Sequence, residues 1–481
     1  MIVDKIFDWA RQHPKRTAII HNNVKHTYGE YAAYIDFAIN FFESANLPPG
    51  KTAVVLISDL LLSWIVINAL RFVGLNTVAV QSLDRARELK LKNITCVVVA
   101  ESERTLASSS GGLSLLSFPE SEMAALQGSN FSARADSGAK CGGHILYTSG
   151  TTGAYKKLLF EADSAERDSV SSIKAREWNQ ETIYHNIYFP LFTGVGFKWP
   201  MSVWIAGGCV VFNQKKNALL NIFDHDITVT IAVPTMLQEL VNLVGDSRRK
   251  AGNFELLTGG GFVSLDLAEK IKHKITPNVT ILFASTECSV VLSSKYDSID
   301  DLYWFKPEGG RTVRIFADDG RECAANEEGD LGILLSDLDR TSYLDDAEAT
   351  SKVFRKGYFF PGDLAVMNED GRVRILGRTA DVINIGGWKG PVAPLEQKIQ
   401  HFLKARCVCL FSTLNGSGQD EVVVAVEADR SPTDAEAKAV RHFLRSFSNI
   451  RICVLSRFPR TATAMQKTNR RELRKIVFGS S

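Results

Sequence analysis

The sequence predicts an α/β protein with a large N-terminal domain of layered, mostly parallel sheets and a small C-terminal α+β domain. Short apolar runs alternate with amphipathic segments of helix length through most of the 481 residues, which is typical of parallel strands covered by helices. The pattern changes after about Ala365. Residues 368–371 then have the composition of a hairpin turn, and the rest is typical of strand, helix, strand, helix, strand. We predict domains 1–378 and 379–481.

The predicted strands alternate with polar, Ser/Thr-rich or Gly-rich turns. They are residues 53–57, 95–100, 144–147, 209–212, 229–233 and 280–283. Residues 53–70 are apolar enough to suggest a membrane span, but they include Asp59 and Asn68, and we predict a buried strand and a core helix. Residues 108–143 are loop-like, with a possible short helix near 121–126.

Composition and charge exclude several classes of protein. Hydrophobic residues make up 45% and charged residues 23%, as in ordinary globular proteins and unlike disordered or fibrous chains. A net charge of +2 predicts no general attraction to nucleic acid, so any polyanion must bind at a local site. Eight scattered cysteines without zinc spacing indicate a reducing compartment, and Asp4 and Asp8 do not fit a signal peptide. These features predict a cytoplasmic protein without a membrane span.

The sharpest feature is the segment 147–157, Tyr-Thr-Ser-Gly-Thr-Thr-Gly-Ala-Tyr-Lys-Lys, directly after a predicted strand. Glycine permits close backbone approach, while hydroxyl and lysine side chains donate to phosphate oxygens. The Walker spacing is absent, so a P-loop NTPase is not favoured. A surface loop without function is the alternative for this segment alone. The candidate phosphate-binding residues are Thr148, Ser149, Gly150, Thr151, Thr152, Gly153 and Lys156.

This loop resembles that of the acyl-adenylating (AMP-binding) superfamily, which includes acyl-CoA ligases, stand-alone adenylation enzymes and luciferases. The family pattern is Thr-Ser-Gly-Ser/Thr-Thr-Gly-x-Pro-Lys-Gly. This chain matches it through Gly153 and at Lys156, with Tyr155 in place of Pro and Lys157 in place of Gly. Further segments that resemble family motifs follow in family order and cover nearly the whole chain.

Two of these segments resemble the acyl-binding and adenine-binding parts of the family. Residues 190–196 resemble the segment that lines the acyl pocket, with Thr193 where many members have His. Gly259, Gly260 and Gly261 resemble the Gly-Gly-Ala strand end that lies against adenine and the acyl group. The resemblance therefore implies that these glycines contact nucleotide.

Residues 283–287 resemble the family motif Tyr-Gly-x-Thr-Glu. The resemblance assigns Phe283 and Ala284 to nucleotide binding, Thr286 to a catalytic phosphate contact, and Glu287 to Mg²⁺. A hard cation beside a triphosphate needs oxygen ligands, which fits a glutamate. Thr-Glu after a strand is also a common helix cap, the alternative if the motif stood alone.

Two further motifs stand at the family's spacing. Residues 358–363 resemble Trp/Tyr-x-x-Thr-Gly-Asp with Pro361 for Thr, and Asp363 would accept hydrogen bonds from ribose hydroxyls. Residues 377–381 resemble Gly-Arg-x-Asp/Lys-Asp, so Arg378 would reach ribose or phosphate. The family's hinge position is Ala380, and in the family the small domain swivels about this hinge. A turn aspartate and a surface arginine are the alternatives for either motif alone.

The C-terminal segment resembles the parts of the family that handle the thiol and the adenylation step. Gly386 and Gly387 resemble the glycines along which the pantetheine arm passes. Residues 459–467 resemble the terminal Pro-Arg/Lys-x-x-x-Gly-Lys segment, with two extra residues and Gln466 for Gly, and make Lys467 the candidate adenylation lysine. The alternative for Lys467 is one more solvated lysine in a basic tail.

The resemblance implies an acid–thiol ligase that uses ATP and Mg²⁺ to form an acyl adenylate and transfers the acyl group to a thiol, most simply that of CoA. The two alternatives are a stand-alone adenylation enzyme that loads carrier-protein phosphopantetheine, and a nucleotide-binding homologue that has lost catalysis. Amino-acid activators usually have Asp where this chain has Thr193, which favours an acid without an α-amino group.

Overall fold

The computed structural model describes the following residues: 2–107, 113–129, 131, 134, 141–149, 155–187, 189–212, 218–245, 252–379, 382–385, 388–414, 419–445, 447, 449–461 and 467–479. Within these residues the helices are α1 (Ile2–Gln12), α2 (Tyr28–Ser44), α3 (Leu60–Phe72), α4 (Leu83–Glu88), α5 (Glu120–Ala124), α6 (Ala162–Arg176), α7 (Gly194–Ile205), α8 (Pro234–Leu243), α9 (Leu265–Lys274), α10 (Ala347–Val353), α11 (Ala393–Leu403), α12 (Asp434–Phe443) and α13 (Arg470–Phe478).

The first strands of the described chain are β1 (Thr17–His21), β2 (Val24–Thr27), β3 (Thr52–Leu56), β4 (Asn76–Ala79), β5 (Ile94–Ala100), β6 (Leu115–Phe118), β7 (His144–Ser149), β8 (Tyr155–Phe160), β9 (Ile183–Asn186), β10 (Cys209–Phe212), β11 (Val229–Ala232), β12 (Glu255–Gly259) and β13 (Val279–Ser285). They are followed by β14 (Ser289–Lys295), β15 (Trp304–Pro307), β16 (Val313–Phe316), β17 (Glu328–Leu334), β18 (Phe354–Arg355), β19 (Tyr358–Phe359), β20 (Asp363–Met367), β21 (Val373–Arg378), β22 (Val382–Ile385), β23 (Trp388–Pro391), β24 (Cys407–Leu414), β25 (Asp420–Glu427) and β26 (Ile450–Leu455).

The predicted α/β class is confirmed, and each of the six predicted strands corresponds to an observed one. The chain divides into two compact units. The first unit consists of residues 1–231, 285–289 and 335–352, and the second of residues 232–284, 290–334 and 353–481. The predicted domain boundary after Arg378 stays a prediction.

The first unit contains two mostly parallel sheets. One has the strand order β6-β5-β3-β4-β7-β8 and is parallel except for the antiparallel β7–β8 pair. The other joins β11, β9, β10 and β1 in parallel, with β2 antiparallel at its edge. Every residue of α3 after Leu60 is buried, which confirms the predicted core helix. No helix of the described residues is long and apolar enough to cross a membrane.

The second unit begins with the parallel pair β12–β13 and continues into antiparallel strands in the order β14-β15-β21-β20-β17-β19-β18. Further along the chain, β24, β25 and β26 form a separate three-stranded sheet. Val422 and Val424 pack with α11 and α12, whereas Val423 and Ala425 pack with α13 on the opposite face. Because both faces are covered, β25 is apolar at consecutive positions instead of alternating.

The C-terminal region contains more elements than the sequence predicts. The hairpin β22–β23 and the strand pair β24–β25 replace single predicted strands, and α13 follows the last one. The buried residues of α13 are Leu473 and Val477, separated by one helical turn, and its other positions are mostly charged. These two residues repeat at helical spacing, so α13 is an amphipathic helix.

Gly142 stands two residues before β7, at a point where its backbone closely approaches that of Leu75. A Cβ atom at Gly142 would lie 1.8 Å from the carbonyl oxygen of Leu75. We expect Gly142→Ala to lower the free energy of unfolding by about 1–3 kcal/mol, because backbone atoms must move to relieve the overlap. Urea denaturation followed by circular dichroism measures the change. Gly245→Ala is the matched control, since a Cβ there meets no atom within 4 Å. Equal midpoints for the two variants would contradict the prediction.

Candidate active site

The strand pair β7–β8 holds the described part of the predicted phosphate loop. Thr148 and Lys156 are Cα partners across the pair, as are Ser149 and Tyr155. The predicted residues Gly150, Thr151, Thr152 and Gly153 lie outside the described residues. The antiparallel register therefore places Lys156 directly opposite Thr148, at the strand ends that the loop joins.

The two residues that depart from the family pattern attach β8 to the end of α4. Lys157 is buried, and its Nζ donates a hydrogen bond to the carbonyl oxygen of Leu89 at 2.9 Å. The ring of Tyr155 packs under the guanidinium of Arg85, with 4.4 Å from Cζ to the ring centroid. Both departures thus serve local packing, and they leave the candidate cation Lys156 in place.

Tyr343 links two of the predicted charged residues within the first unit. Its hydroxyl donates a hydrogen bond to Glu287 Oε1 at 2.6 Å, and Lys156 Nζ lies 3.5 Å from the same hydroxyl oxygen. Lys156 Nζ also lies over the Tyr343 ring, 4.9 Å from its centroid. Burial, together with the neighbouring Glu287 carboxylate, raises the pKa of Tyr343 well above its ordinary value, so the phenol stays a donor. A cation, a hydroxyl and a carboxylate therefore form one connected group.

Local hydrogen bonds fix the turn that carries Thr286 and Glu287. β13 ends at Ser285, whose Oγ accepts a hydrogen bond from the backbone N–H of Cys288 at 3.0 Å. The carbonyl oxygen of Glu287 accepts from the backbone N–H of Arg340 at 3.0 Å. Thr286 and Glu287 thus lie in a tight turn between two strands, and the helix-cap alternative does not apply.

A buried ion pair holds the far end of this turn. Lys198 Nζ lies 2.7 Å from Asp168 Oδ2, and both side chains are buried. The Ser289 hydroxyl oxygen lies 3.0 Å from each Asp168 carboxylate oxygen and is also hydrogen-bonded to Lys198. Ser289 has a φ of 58°, a conformation that is uncommon for serine and needs support from its surroundings. The ion pair supplies that support, and the sequence gives no local sign of it.

The chemistry of the donor set tests whether the turn suits a metal ion. Glu287 offers a carboxylate and Thr286 a hydroxyl, and such oxygen ligands suit Mg²⁺. Among the described residues, no group of three or more His, Cys, Asp and Glu side chains could hold a metal by itself. Mg²⁺ is commonly bound through one or two carboxylates together with substrate phosphates and water. Glu287 fits that mode of binding.

Asp363 and Arg378 lie side by side in the second unit. They are Cα partners across the antiparallel pair β20–β21, and Arg378 Nε lies 3.3 Å from Asp363 Oδ1. The Asp363 side chain is buried, whereas that of Arg378 is half-exposed and also donates to the Pro361 carbonyl oxygen at 2.6 Å. The register of β20 and β21 therefore brings these two predicted nucleotide-binding residues together.

Lys467 lies near this pair. Its side chain is exposed to solvent on one side, yet protein atoms crowd its ammonium group and lower its pKa by desolvation. The positive charge of Arg378 lowers the pKa further, while the negative charge of Asp363 opposes the shift. The Lys467 carbonyl oxygen accepts a hydrogen bond from the backbone N–H of Thr461 at 2.8 Å. Asp363 and Arg378 thus act in opposite directions on the pKa of Lys467.

The predicted adenine-binding residues lie at the carboxyl ends of two neighbouring parallel strands. Gly259 ends β12 and is the Cα partner of Leu282, directly before Phe283 and Ala284 in β13. A Cβ atom at Gly259 would lie 2.6 Å from the Leu282 carbonyl oxygen, so a glycine is required there. Gly260 and Gly261 follow in the turn. The predicted thiol-site residues Gly386 and Gly387 lie outside the described residues.

The segment that resembles the acyl-pocket lining is largely a helix start. Thr193 caps α7: its Oγ1 accepts from the backbone N–H of Gly196 at 3.0 Å and donates to the Pro190 carbonyl oxygen at 2.7 Å. Phe197 is fully buried and stacks on the His144 ring at 4.0 Å between centroids. Burial lowers the pKa of His144 to about 3, so this imidazole is neutral. Phe197 therefore belongs to the core.

Sequence reasoning missed Tyr343 among the residues of the site. It stands 56 residues from Glu287 and 187 from Lys156, too far apart for any spacing pattern to connect them. The one signal in the sequence is an aromatic residue within a mostly polar stretch, residues 336–346.

Comparisons with known proteins agree with the geometry. The family model described as "AMP-binding enzyme" matches residues 6–334. The 2-succinylbenzoate–CoA ligase of Bacillus licheniformis is 32% identical over 250 residues, which cover 50% of this chain and 51% of that protein. The chain thus spans about half the length of that relative. The corresponding ligase of Geobacillus kaustophilus is 27% identical over 346 residues, 69% of each chain.

A solved structure has the same fold. The o-succinylbenzoate CoA synthetase of Bacillus subtilis, solved with an acyl-adenylate intermediate, superposes with a TM-score of 0.79. The superposition covers 98% of this chain and 97% of that one at 22% identity. At this identity the likeness establishes the fold, and it confirms the predicted two-domain α/β architecture.

The charges around Lys467 lead to a test that does not depend on activity. A lowered lysine pKa means that the ammonium group loses its proton at a pH below the ordinary value of 10.5. We expect Arg378→Gln to raise the pKa of Lys467, because a repelling cation is removed, and Asp363→Asn to lower it. NMR titration of ¹³C-methylated lysines measures both shifts, with the signal identified by its loss in Lys467→Arg. If the pKa of Lys467 is unchanged in both variants, then Arg378 and Asp363 do not act on its charge.

Proposed function

The chain belongs to the AMP-binding enzyme family, and from this premise we propose that it joins a carboxylic acid to a thiol at the expense of ATP. In the first step a carboxylate oxygen attacks the α-phosphorus of ATP, an acyl–phosphate bond forms, and pyrophosphate leaves. In the second step the thiol sulfur attacks the acyl carbon, AMP leaves, and the thiol proton passes to solvent. The most direct acceptor is CoA.

The single observation that carries the proposal is the connected group of Lys156, Tyr343 and Glu287, in which Lys156 belongs to the start of β8. Both reactants of the first step are anions, so their repulsion is the main obstacle to reaction. The acid is already ionised at pH 7, and no general base is required. Catalysis then depends on neutralising charge and aligning the reactants, for which fixed charged groups are suited.

Each site residue has a role in this proposal. Lys156 and the loop hydroxyls would bind phosphate oxygens, with Thr286 contributing a further hydroxyl. Mg²⁺ held by Glu287 would supply charge neutralisation at the triphosphate. Asp363 would accept hydrogen bonds from the ribose hydroxyls, for which its buried position opposite Arg378 is suited. Lys467 would stabilise the negative charge that develops on the α-phosphate as the carboxylate attacks.

The structure supports an acid without an α-amino group. The Thr193 hydroxyl is engaged by the backbone of its own turn, and it offers no negative charge to an ammonium group. Two relatives are named for 2-succinylbenzoate. We propose an aromatic carboxylic acid of this kind as the first substrate to test.

The two alternatives differ from this proposal in their acceptor or in catalysis. A carrier-protein phosphopantetheine presents the same thiol as CoA, so the charge arrangement fits it equally well. A homologue without catalysis would not need its charged groups. This chain has charged residues at the positions where the resemblance expects them, namely Lys156, Glu287, Asp363, Arg378 and Lys467, which favours an active enzyme over that alternative.

The first test measures acid-dependent exchange of pyrophosphate into ATP. We expect exchange with at least one member of a panel containing 2-succinylbenzoate, benzoates and aliphatic acids, because adenylation is reversible. Mass analysis of products formed with CoA or with a phosphopantetheinylated carrier protein then identifies the acceptor. Absence of exchange with every acid would favour the non-catalytic alternative, and product on the carrier protein alone would exclude CoA.

The second test separates the two half-reactions. We expect Lys467→Ala to slow adenylation by roughly 100- to 1,000-fold, because a contact to developing charge is lost. Thioester formation from a supplied acyl adenylate should be unaffected. Lys475→Ala is the matched control, because Lys475 is an exposed lysine of the same region that pairs with Glu472. Equal loss in both half-reactions, or in both variants, would remove Lys467 from the adenylation step.

A further inference from the structure

The Tyr343 hydroxyl is hydrogen-bonded to one carboxylate oxygen of Glu287, the residue that the proposed function assigns to metal binding. Its hydroxyl donates to Glu287 Oε1 at 2.6 Å, a short hydrogen bond to a charged acceptor. A carboxylate oxygen that accepts this hydrogen bond has less of its lone-pair density available to a cation. The same tyrosine ring lies against Lys156, 4.9 Å from Nζ to the centroid.

We propose that Tyr343 has two separable roles: its hydroxyl competes with Mg²⁺ for Glu287, and its ring positions Lys156 for phosphate. This inference rests on the proposed function only in taking Glu287 as a metal ligand. With the hydroxyl displaced, Glu287 would be available to hold Mg²⁺, and the ring would keep Lys156 in place. In the protein without nucleotide, the Tyr343 hydroxyl connects the Glu287 carboxylate with the Lys156 ammonium group.

The backbone around Tyr343 is held from both sides, so the ring has a fixed position. The Tyr343 N–H donates to Thr350 Oγ1 at 3.0 Å. The next N–H, that of Leu344, donates to the Lys157 carbonyl oxygen at 2.7 Å. The side chain itself is 4% exposed. Leu344 is hydrogen-bonded to Lys157, the residue after Lys156. Backbone hydrogen bonds therefore hold the Tyr343 segment beside the strand that carries Lys156.

The backbone on the Glu287 side is also held by a hydrogen bond. Arg340, three residues before Tyr343, donates its backbone N–H to the Glu287 carbonyl oxygen at 3.0 Å. Residues 340–344 therefore bond both to the strand that carries Lys156 and to the turn that carries Glu287. A hydroxyl located between two such anchors can exchange one hydrogen bond without movement of the main chain.

Two substitutions separate the two roles. Tyr343→Phe removes the hydroxyl and keeps the ring against Lys156, whereas Tyr343→Leu removes both. Tyr296→Phe is the matched control, because the Tyr296 hydroxyl donates to Glu269, another tyrosine–glutamate hydrogen bond in the chain. Binding of α,β-methylene-ATP is measured by calorimetry at limiting and at saturating Mg²⁺, without acid and without turnover.

The ratio of the two affinities reports how strongly metal supports nucleotide binding. We expect Tyr343→Phe to increase this ratio roughly tenfold, which corresponds to about 1.4 kcal/mol. We expect Tyr343→Leu to weaken analogue binding at saturating Mg²⁺, because Lys156 loses its support, and Tyr296→Phe to behave as wild type.

An unchanged or smaller ratio in Tyr343→Phe would overturn the competition, since the hydroxyl would then be neutral or helpful to metal. Equal analogue binding by the Phe and Leu variants would overturn the role of the ring. Wild-type protein that binds the analogue equally with and without Mg²⁺ would also overturn the inference. Because no acid is present, each result is independent of whether pyrophosphate exchange succeeds.

Discussion

Two backbone hydrogen bonds from one short segment set the geometry of the phosphate side of the site. The N–H of Arg340 bonds to the Glu287 carbonyl oxygen, and the N–H of Leu344 bonds to that of Lys157. Lys156 and Glu287 belong to parts of the chain more than a hundred residues apart, and they meet because both are bonded to residues 340–344. Tyr343 lies between these two bonds, so its position follows from them. The remaining features of the phosphate side support this arrangement, among them the antiparallel pair β7–β8 and the Lys198–Asp168 ion pair beside Ser289.

Much of the fold follows from the sequence because strands and core helices have strong local patterns. The strand at 53–57 and the helix after it are buried on all sides, and continuous apolar runs identify such elements. The predicted element order leaves out the final helix α13, although Leu473 and Val477 stand one helical turn apart among charged residues. The sequence also predicts a single strand where the structure has the pair β24–β25. Helices cover both faces of this sheet, so apolar and polar residues do not alternate along β25.

The sequence suggests candidate site residues where they stand next to strand ends, and these assignments stay predictions. Glycine, hydroxyl and acidic residues at such ends have a chemical meaning that local sequence conveys, and Asp363 and Arg378 are examples. Tyr343, Asp168 and Lys198 could not be found in this way, because their meaning comes from contacts with distant residues. Residues 155 and 157 illustrate the opposite case. They looked like defects in a motif, and the structure gives each a partner on or next to α4.

Thr193 combines two constraints at one position. It is the N-cap of α7, and its hydroxyl accepts a hydrogen bond from the Gly196 N–H. Serine, asparagine and aspartate can also cap a helix in this way, whereas apolar residues cannot. In this chain, keeping that helix cap restricts substitutions at residue 193 to short polar side chains. Among these, aspartate would preserve the helix start and introduce a negative charge. A single substitution at residue 193 would therefore place a negative charge in the segment that resembles the acyl-pocket lining, without repacking of the interior.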